Sequence, residues 1–325
     1  MKSAPDFTVW HGKPYYSLDA WCKNTYGEKL YKIALNAGFS CPNRDGTLGT
    51  GGCIFCSQGG SGEFAVSFGD SDPAAQLKKG IRLLHAKKTG NRVVAYFQAY
   101  TNTYGPTDRL RTVYEAALKE PFVCGISIAT RPDCVGDEVC MLLAALKKEY
   151  PDKFIWIELG LQTIHEKTAL FIRRGYELPC FEDACRRLRA IDIPVIVHII
   201  LGLPGEETKE ILATISYLNQ ISPFGVKLQL MHVLAGTGLA IIYEKEPFHI
   251  YSPEEYLEVL IACIEHLSPR ITIHRVTGDG PGKLLLAPDW SRNKRFVLNS
   301  LHRQMKERQT YQGRSFHDSG SADTV

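Results

Sequence analysis

Short apolar runs alternate with longer amphipathic stretches along most of this chain, and the alternation predicts strand and helix in turn. An aromatic-rich lead-in, 1–29, holds one short helix over 18–26. A first strand over 30–35 (LYKIAL) runs into a loop rich in Gly and Cys. Helices over 74–88, 108–119, 137–149, 182–190, 208–220 and 253–267 then alternate with strands over 92–99, 122–129, 154–161, 194–201 and 225–233. A last strand is expected over 271–276. This β/α alternation argues for parallel strands joined by right-handed crossovers. A run such as PVIVHIIL fits burial on both faces of a sheet. The fold class is therefore α/β, a partial TIM-type (β/α)6 barrel over 30–277, with a doubly wound open sheet as the alternative. No dinucleotide-binding glycine fingerprint follows the first strand; a cysteine loop stands there instead.

That loop reads NAGFSCPNRDGTLGTGGCIFCSQ and carries Cys41, Cys53 and Cys56. It has neither helical nor strand periodicity. Ordering a loop costs entropy, and a soft metal centre held by thiolates would offset that cost. Structural zinc and an ordinary iron–sulfur cluster each want four protein ligands, and no fourth Cys or His lies in or just after the loop. Three cysteines on a [4Fe–4S] cluster leave one iron open. Cleavage of S-adenosylmethionine (SAM) to a radical requires such an iron. A zinc site with a distant ligand and three unlinked core thiols are the alternatives.

In barrels, chemistry gathers at the C-terminal strand ends. Polar residues stand at those ends here: Gln98, Arg131 with Asp133, Glu158 with Gln162, His198, and Lys227, Gln229 and His232. Burying them unpaired would be costly, so with the cysteine loop they read as one pocket. Singly, Arg131–Asp133 reads equally as an ion pair, and His198 and His232 as satisfied core histidines.

Composition is that of an ordinary globular protein, 44% hydrophobic and 22% charged. No apolar run suits a bilayer span and the N-terminus has no signal-like apolar region. Ten cysteines without such a signal predict a reducing, cytoplasmic setting. Seven of them, outside the loop, read as small buried hydrophobes. The net charge of +3 is uneven: residues 270–325 hold ten Lys and Arg against five Asp and Glu, so +5, which leaves −2 for the rest. Within a C-terminal extension, 278–313, a helix over 292–308 carries Arg292, Lys294, Arg295, Arg303, Lys306 and Arg308. Phe296, Val297, Leu301 and Met305 form its docking stripe. Its basic face reads as a solvated surface or a nucleic-acid patch. Residues 314–325 read as a disordered tail.

The three cysteines, followed in order by YFQAYTNTYG, TRPD, ELGLQT and GLPGE, resemble the radical SAM superfamily. GEKLYKIALNAGFSCPNRDGTLGTGGCIFC and TGDGPGKLLLAPDWS are similar to its YtqA/YhcC-type group, related to the radical domain of Elongator's catalytic subunit. The likeness spans about residues 15–313. It implies a [4Fe–4S] cluster on Cys41, Cys53 and Cys56, with SAM on the open iron. It implies Glu158 toward the SAM ribose, Gln98 and Arg131 lining the pocket, and the segment of Gly202 and Pro204 behind the adenine. It further implies a 5′-deoxyadenosyl radical, a flavodoxin- or ferredoxin-like electron donor and a tRNA partner. The YtqA-like subgroup implies conversion of wobble 5-carboxymethylaminomethyl-uridine to 5-aminomethyl-uridine. A small-molecule or protein substrate and a zinc-stabilised nucleic-acid-binding module are the competing functions. Tyr176 departs from the resemblance, because relatives often carry His there.

Overall fold

A computed structural model describes residues 7–60, 72–86, 91–278 and 280–317. Its strands are β1 (Tyr31–Leu35), β2 (Val93–Phe97), β3 (Val123–Thr130), β4 (Phe154–Gln162), β5 (Val195–Leu201), β6 (Gly225–Leu230), β7 (Val233–Leu234), β8 (Thr272–Arg275) and β9 (Leu285–Ala287). Seven of them form one parallel sheet in the order β1-β2-β3-β4-β5-β6-β8, while β7 and β9 make a separate antiparallel pair. The helices are α1 (Leu18–Tyr26), α2 (Pro73–Ala86), α3 (Thr107–Leu118), α4 (Asp137–Glu149), α5 (Glu166–Phe171), α6 (Leu178–Ala190), α7 (Thr208–Ile221), α8 (Gly238–Lys245), α9 (Pro253–His266) and α10 (Lys294–Glu307). Side chains from β1, β4 and β6 meet in the middle, so the sheet is curled. The result is the expected partial barrel, six β/α units with β8 as a closing edge strand.

The core lies between the outer sheet face and the helices, where alternate strand residues are apolar, mostly Val, Ile and Leu. The barrel interior is different. Its N-terminal end is plugged by aromatic rings: Trp21 of α1 packs edge-on against Trp156 at 5.1 Å, and Phe154 stacks on Trp156 at 4.0 Å. Phe224 and His274 complete the plug. Gly225 makes room for it, since a Cβ there would stand 2.5 Å from the His274 ring.

Three features differ from the sequence reading. The strand expected over 225–233 ends at Leu230, with a last ladder bond from Met231 N–H to the Leu201 carbonyl at 2.9 Å, and Val233–Leu234 pair with β9 instead. Helices α5 and α8 were not anticipated; both are short, and short apolar stretches carry little periodicity. On α10, Val297, Leu301 and Met305 are buried in the main core, whereas Phe296 is exposed and leaves the docking stripe.

The lead-in and the extension are tied together. Gln312, fully buried, donates to the carbonyls of Ser268 and Ile271 at 2.7 and 2.8 Å and accepts from the Tyr16 N–H. Its own N–H reaches the Pro14 carbonyl. The stretch expected as a tail starts inside the fold, since Ser315 N–H bonds to the Glu265 carbonyl at 2.9 Å. The rest of that tail, 318–325, and the lead-in's first six residues lie outside the described residues.

Candidate active site

The C-terminal strand ends open into a cavity of about 580 Å³. Cys41, Cys53 and Cys56 line it together with Gln98, Arg131 and Glu158. Gly202 and Pro204 are not among the lining residues; Gly202 sits against the ring of Tyr251 instead.

The cysteine loop is held by backbone and side-chain hydrogen bonds and by a small hydrophobic cluster in which Ile54 is buried with Ile172, Val233 and Leu239 and Phe55 packs against them. Ile54 N–H donates to the Ile172 carbonyl at the end of α5, and the Ile54 carbonyl accepts from Leu239 in α8 at 2.8 Å. Asn43 Nδ2 bridges the Arg173 carbonyl at 2.8 Å and Cys53 Sγ at 3.6 Å. Arg44 clamps the carbonyls of Cys56 and Ser57 at 2.7 and 2.6 Å. Gly52 lets that guanidinium lie close, since a Cβ there would be 2.8 Å from Nε. Burial pushes the Cys53 thiol up to about 12, with Cys56 and Cys41 adding to it and Arg131 opposing it.

The donor set fits a thiolate-held cluster with an open position. Among the described residues, no three or more His, Cys, Asp or Glu side chains are gathered as for one metal ion. Three sulfurs around a shared space suit a many-atom cluster better than a zinc ion with bonds of about 2.3 Å. Cys134 does not line the cavity, and its thiol turns to Asp133. Gln162 also lines the space. It sits at a bulge with φ of 66°, and its buried Oε1 has no protein partner among the described residues. A polar ligand would satisfy that oxygen.

Deeper in, one polar side chain from each strand of the parallel sheet contributes to the floor. Glu158, with no exposed side-chain surface, accepts from Lys32 Nζ at 2.6 Å, Ser127 Oγ at 2.5 Å and Lys227 Nζ. His198 Nε2 lies 2.6 Å from its other oxygen, and Lys227 also donates to Tyr96 OH at 3.1 Å. Arg275 of β8 lines the same cavity and acts on Lys227 electrostatically. Burial alone would raise the Glu158 carboxyl, but Lys227, Lys32 and His198 hold it well below the usual carboxylate range. Burial and then Lys227 keep His198 neutral, down to about 4. The reading of Glu158 toward a ribose thus needs qualifying: its oxygens are already engaged by protein. His198 is a satisfied histidine that also faces the cavity.

Arg131 and Asp133 do form an ion pair, at 2.9 and 2.6 Å. Arg131 further holds the Arg174 carbonyl at 2.8 Å. Tyr176 is wedged between the two guanidiniums, 4.9 and 4.8 Å from its ring centre, and donates to the Gly160 carbonyl. It braces the end of β4 against the cysteine loop. Lys32, Tyr96 and Arg275 escaped the sequence reading; only the alternation of β1, with Lys32 breaking an apolar strand, hinted at one of them.

The six basic residues around α10 do not form one face. Arg308 forks onto Glu258, and Arg292 is engaged with Asp289 at 2.5 Å and the Leu285 carbonyl at 2.8 Å. Arg303 faces Glu307 at 4.0 Å. Lys294 is lowered by burial and by Arg275, and it acts on His232 of the cavity wall. Arg295 and Lys306 are exposed.

Comparison with known proteins agrees with this architecture. Residues 44–218 match the Radical SAM superfamily model and residues 223–307 the Radical_SAM C-terminal domain. The chain is 40% identical to YtqA of Bacillus subtilis, covering 94% of this chain and 93% of that protein. It is 36% identical to YhcC of Escherichia coli K12 over 87% and 89%. Half of the chain is 24% identical to the tRNA uridine(34) acetyltransferase of Methanocaldococcus jannaschii, spanning 29% of that protein. The fold superposes on the archaeal Elp3 of Methanocaldococcus infernus with a TM-score of 0.64, 16% identity, and coverage of 87% of this chain and 64% of that one. No helix among the described residues is long and apolar enough to cross a membrane. The chain belongs to the radical SAM superfamily, whose members use a [4Fe–4S] cluster and SAM, and within it to the family of YtqA and YhcC.

Proposed function

We propose that this radical SAM enzyme modifies the wobble uridine of tRNA, converting 5-carboxymethylaminomethyl-uridine to 5-aminomethyl-uridine. Cys41, Cys53 and Cys56 hold the cluster in this reading, and Gln162 offers its unpartnered oxygen to SAM. When bound, cluster and cofactor supply hydrogen-atom abstraction. The chain's own residues do the rest. The loop contacts to α5 and α8 fix the cysteines at the mouth, and the floor orients the substrate beneath them. Loss of a hydrogen atom and then of one electron from the carboxymethyl carbon beside the secondary amine would leave an imine, which water would cleave to the aminomethyl product and glyoxylate; the electron would return to the oxidised cluster. A flavodoxin- or ferredoxin-like protein is the reductant this chemistry needs, and a cytoplasmic setting suits it.

The observation that carries the tRNA reading is the similarity over half the chain to a protein named for acting on tRNA uridine 34. The exposed Arg295 and Lys306 support it, because phosphate contacts from Lys and Arg supply most sequence-independent affinity. The test is anaerobic turnover of the reconstituted protein with SAM, a reductant and tRNA from a strain lacking the gene. Nucleoside mass spectrometry should show the carboxymethylaminomethyl form falling as the aminomethyl form rises. An unchanged profile alongside continued SAM cleavage contradicts the tRNA reading.

A further inference from the structure

The floor of the cavity holds more positive charge than its own carboxylate balances. A barrel that serves only as a scaffold fills its interior with Val, Ile and Leu. Here two ammonium groups, Lys32 and Lys227, are held within hydrogen-bond reach of one buried carboxylate, Glu158. Desolvating each ion costs several kcal/mol. With both ammonium groups protonated, Lys32 and Lys227 exceed Glu158 by +1, Arg275 of the same floor left aside, and Glu158 is the only Asp or Glu among the described residues that line the cavity. Donor counting points the same way. An ammonium has three N–H groups. Lys32 uses one on Glu158 and one, at 3.4 Å, on Ser127; its ammonium also lies 4.9 Å from the Tyr96 ring centre, and it lines the open space.

We infer that this floor receives the carboxylate of the substrate, with Lys32 as its direct partner and Lys227 as the charge behind it. The inference rests on the wobble-uridine reading, in which substrate and product differ by a carboxymethyl group. A carboxylate-binding floor then tells them apart: it holds the substrate, and it loses its grip once the carboxylate has left.

Lys227 links this binding to protons. Glu158 of β4, Tyr96 of β2, Lys32 of β1, His198 of β5, and Arg275 and His274 of β8 surround it. Burial, opposed by Glu158, brings Lys227 down to about 7. An added anion raises it, so binding takes up a proton. The affinity for a carboxylate must therefore fall as pH rises through about 7.

The test is calorimetric titration of the anaerobic holoprotein, carrying cluster and SAM, with two nucleosides: 5-carboxymethylaminomethyl-uridine and 5-aminomethyl-uridine. A charge-assisted hydrogen bond predicts at least about tenfold tighter binding of the first. Lys32→Gln should erase that preference, and Lys32→Arg should restore part of it. The preference should shrink as pH rises through Lys227. Equal affinities in the unmodified protein, or a preference that survives Lys32→Gln, overturn the inference. So does an equal loss of SAM affinity in Lys32→Gln, which would make the floor part of the cofactor site. If Lys32→Gln loses its iron, the pH series on the unmodified protein decides: a flat preference overturns the inference. Conversion of tRNA without any carboxylate preference sinks this inference and leaves the wobble reading standing. Lys32-dependent competition by N-methylglycine, with tRNA nucleosides left unchanged, supports the floor and removes the wobble reading.

Discussion

The cysteine loop and the cavity floor line one space, yet the chain builds them in opposite ways. The loop's three sulfurs come from one short segment, held by backbone hydrogen bonds to α5 and α8 and by the Arg44 clamp. The floor's groups come singly from strands spread between Lys32 and Arg275 and are locked by mutual ion pairs. A reactive metal centre needs an open approach, which a loop at the strand ends provides. Recognition of a small charged group needs rigidity, which a sheet interior provides. The difference also predicts how each region fails. Removing a loop cysteine should leave the fold intact and the chemistry dead, whereas removing a floor partner should injure the fold itself.

The largest effect separates the two regions on that ground. Glu158→Gln leaves Lys32 and Lys227 without their counter-ion and should cost about 3–5 kcal/mol in urea unfolding. Cys56→Ala in metal-free protein should cost only about 1 kcal/mol. The sign with pH follows from the lowered Glu158 carboxyl: its stabilisation is present above the unfolded carboxyl value and is lost as pH falls below it. The gap between unmodified protein and Glu158→Gln should therefore narrow on acidification. Equal stability losses at Glu158 and Cys56 would break the comparison.

A smaller effect probes the rim. Reversing Arg295 and Lys306 to Glu should weaken tRNA binding and lower the log–log salt slope by about 1 for each phosphate no longer neutralised. Arg308→Glu should leave that slope unchanged, because Arg308 is already engaged with Glu258. If both variants behave alike, the helix contributes only general charge.

These two regions also differ in how far the sequence revealed them. The loop was legible because its signal is local: three cysteines, their spacing and a Gly-rich break in periodicity. The β/α alternation was legible for the same reason, since each helix and strand carries its own period. The supports of the loop were not. Helices α5 and α8 are short, and the β7–β9 pair joins Leu234 to Leu285 across a distance no local pattern encodes. The floor was half visible. Glu158, His198 and Lys227 stood out in apolar strands and read as parts of one pocket, but nothing in the sequence said that they bond to one another, or that Lys32 and Tyr96 join them. Gly202 and Pro204, expected behind the adenine, are not among the residues that line this cavity, and Gly202 packs by the Tyr251 ring.

The most direct test of the whole account is the electron paramagnetic resonance spectrum of the reduced, reconstituted protein, recorded before and after SAM is added. The account predicts about four irons per chain, a spectrum that changes when SAM occupies the open iron, loss of both in Cys41→Ala, and retention of both in Cys134→Ala. Stoichiometric zinc, a spectrum indifferent to SAM, or an iron site that survives Cys41→Ala but not Cys134→Ala would contradict it.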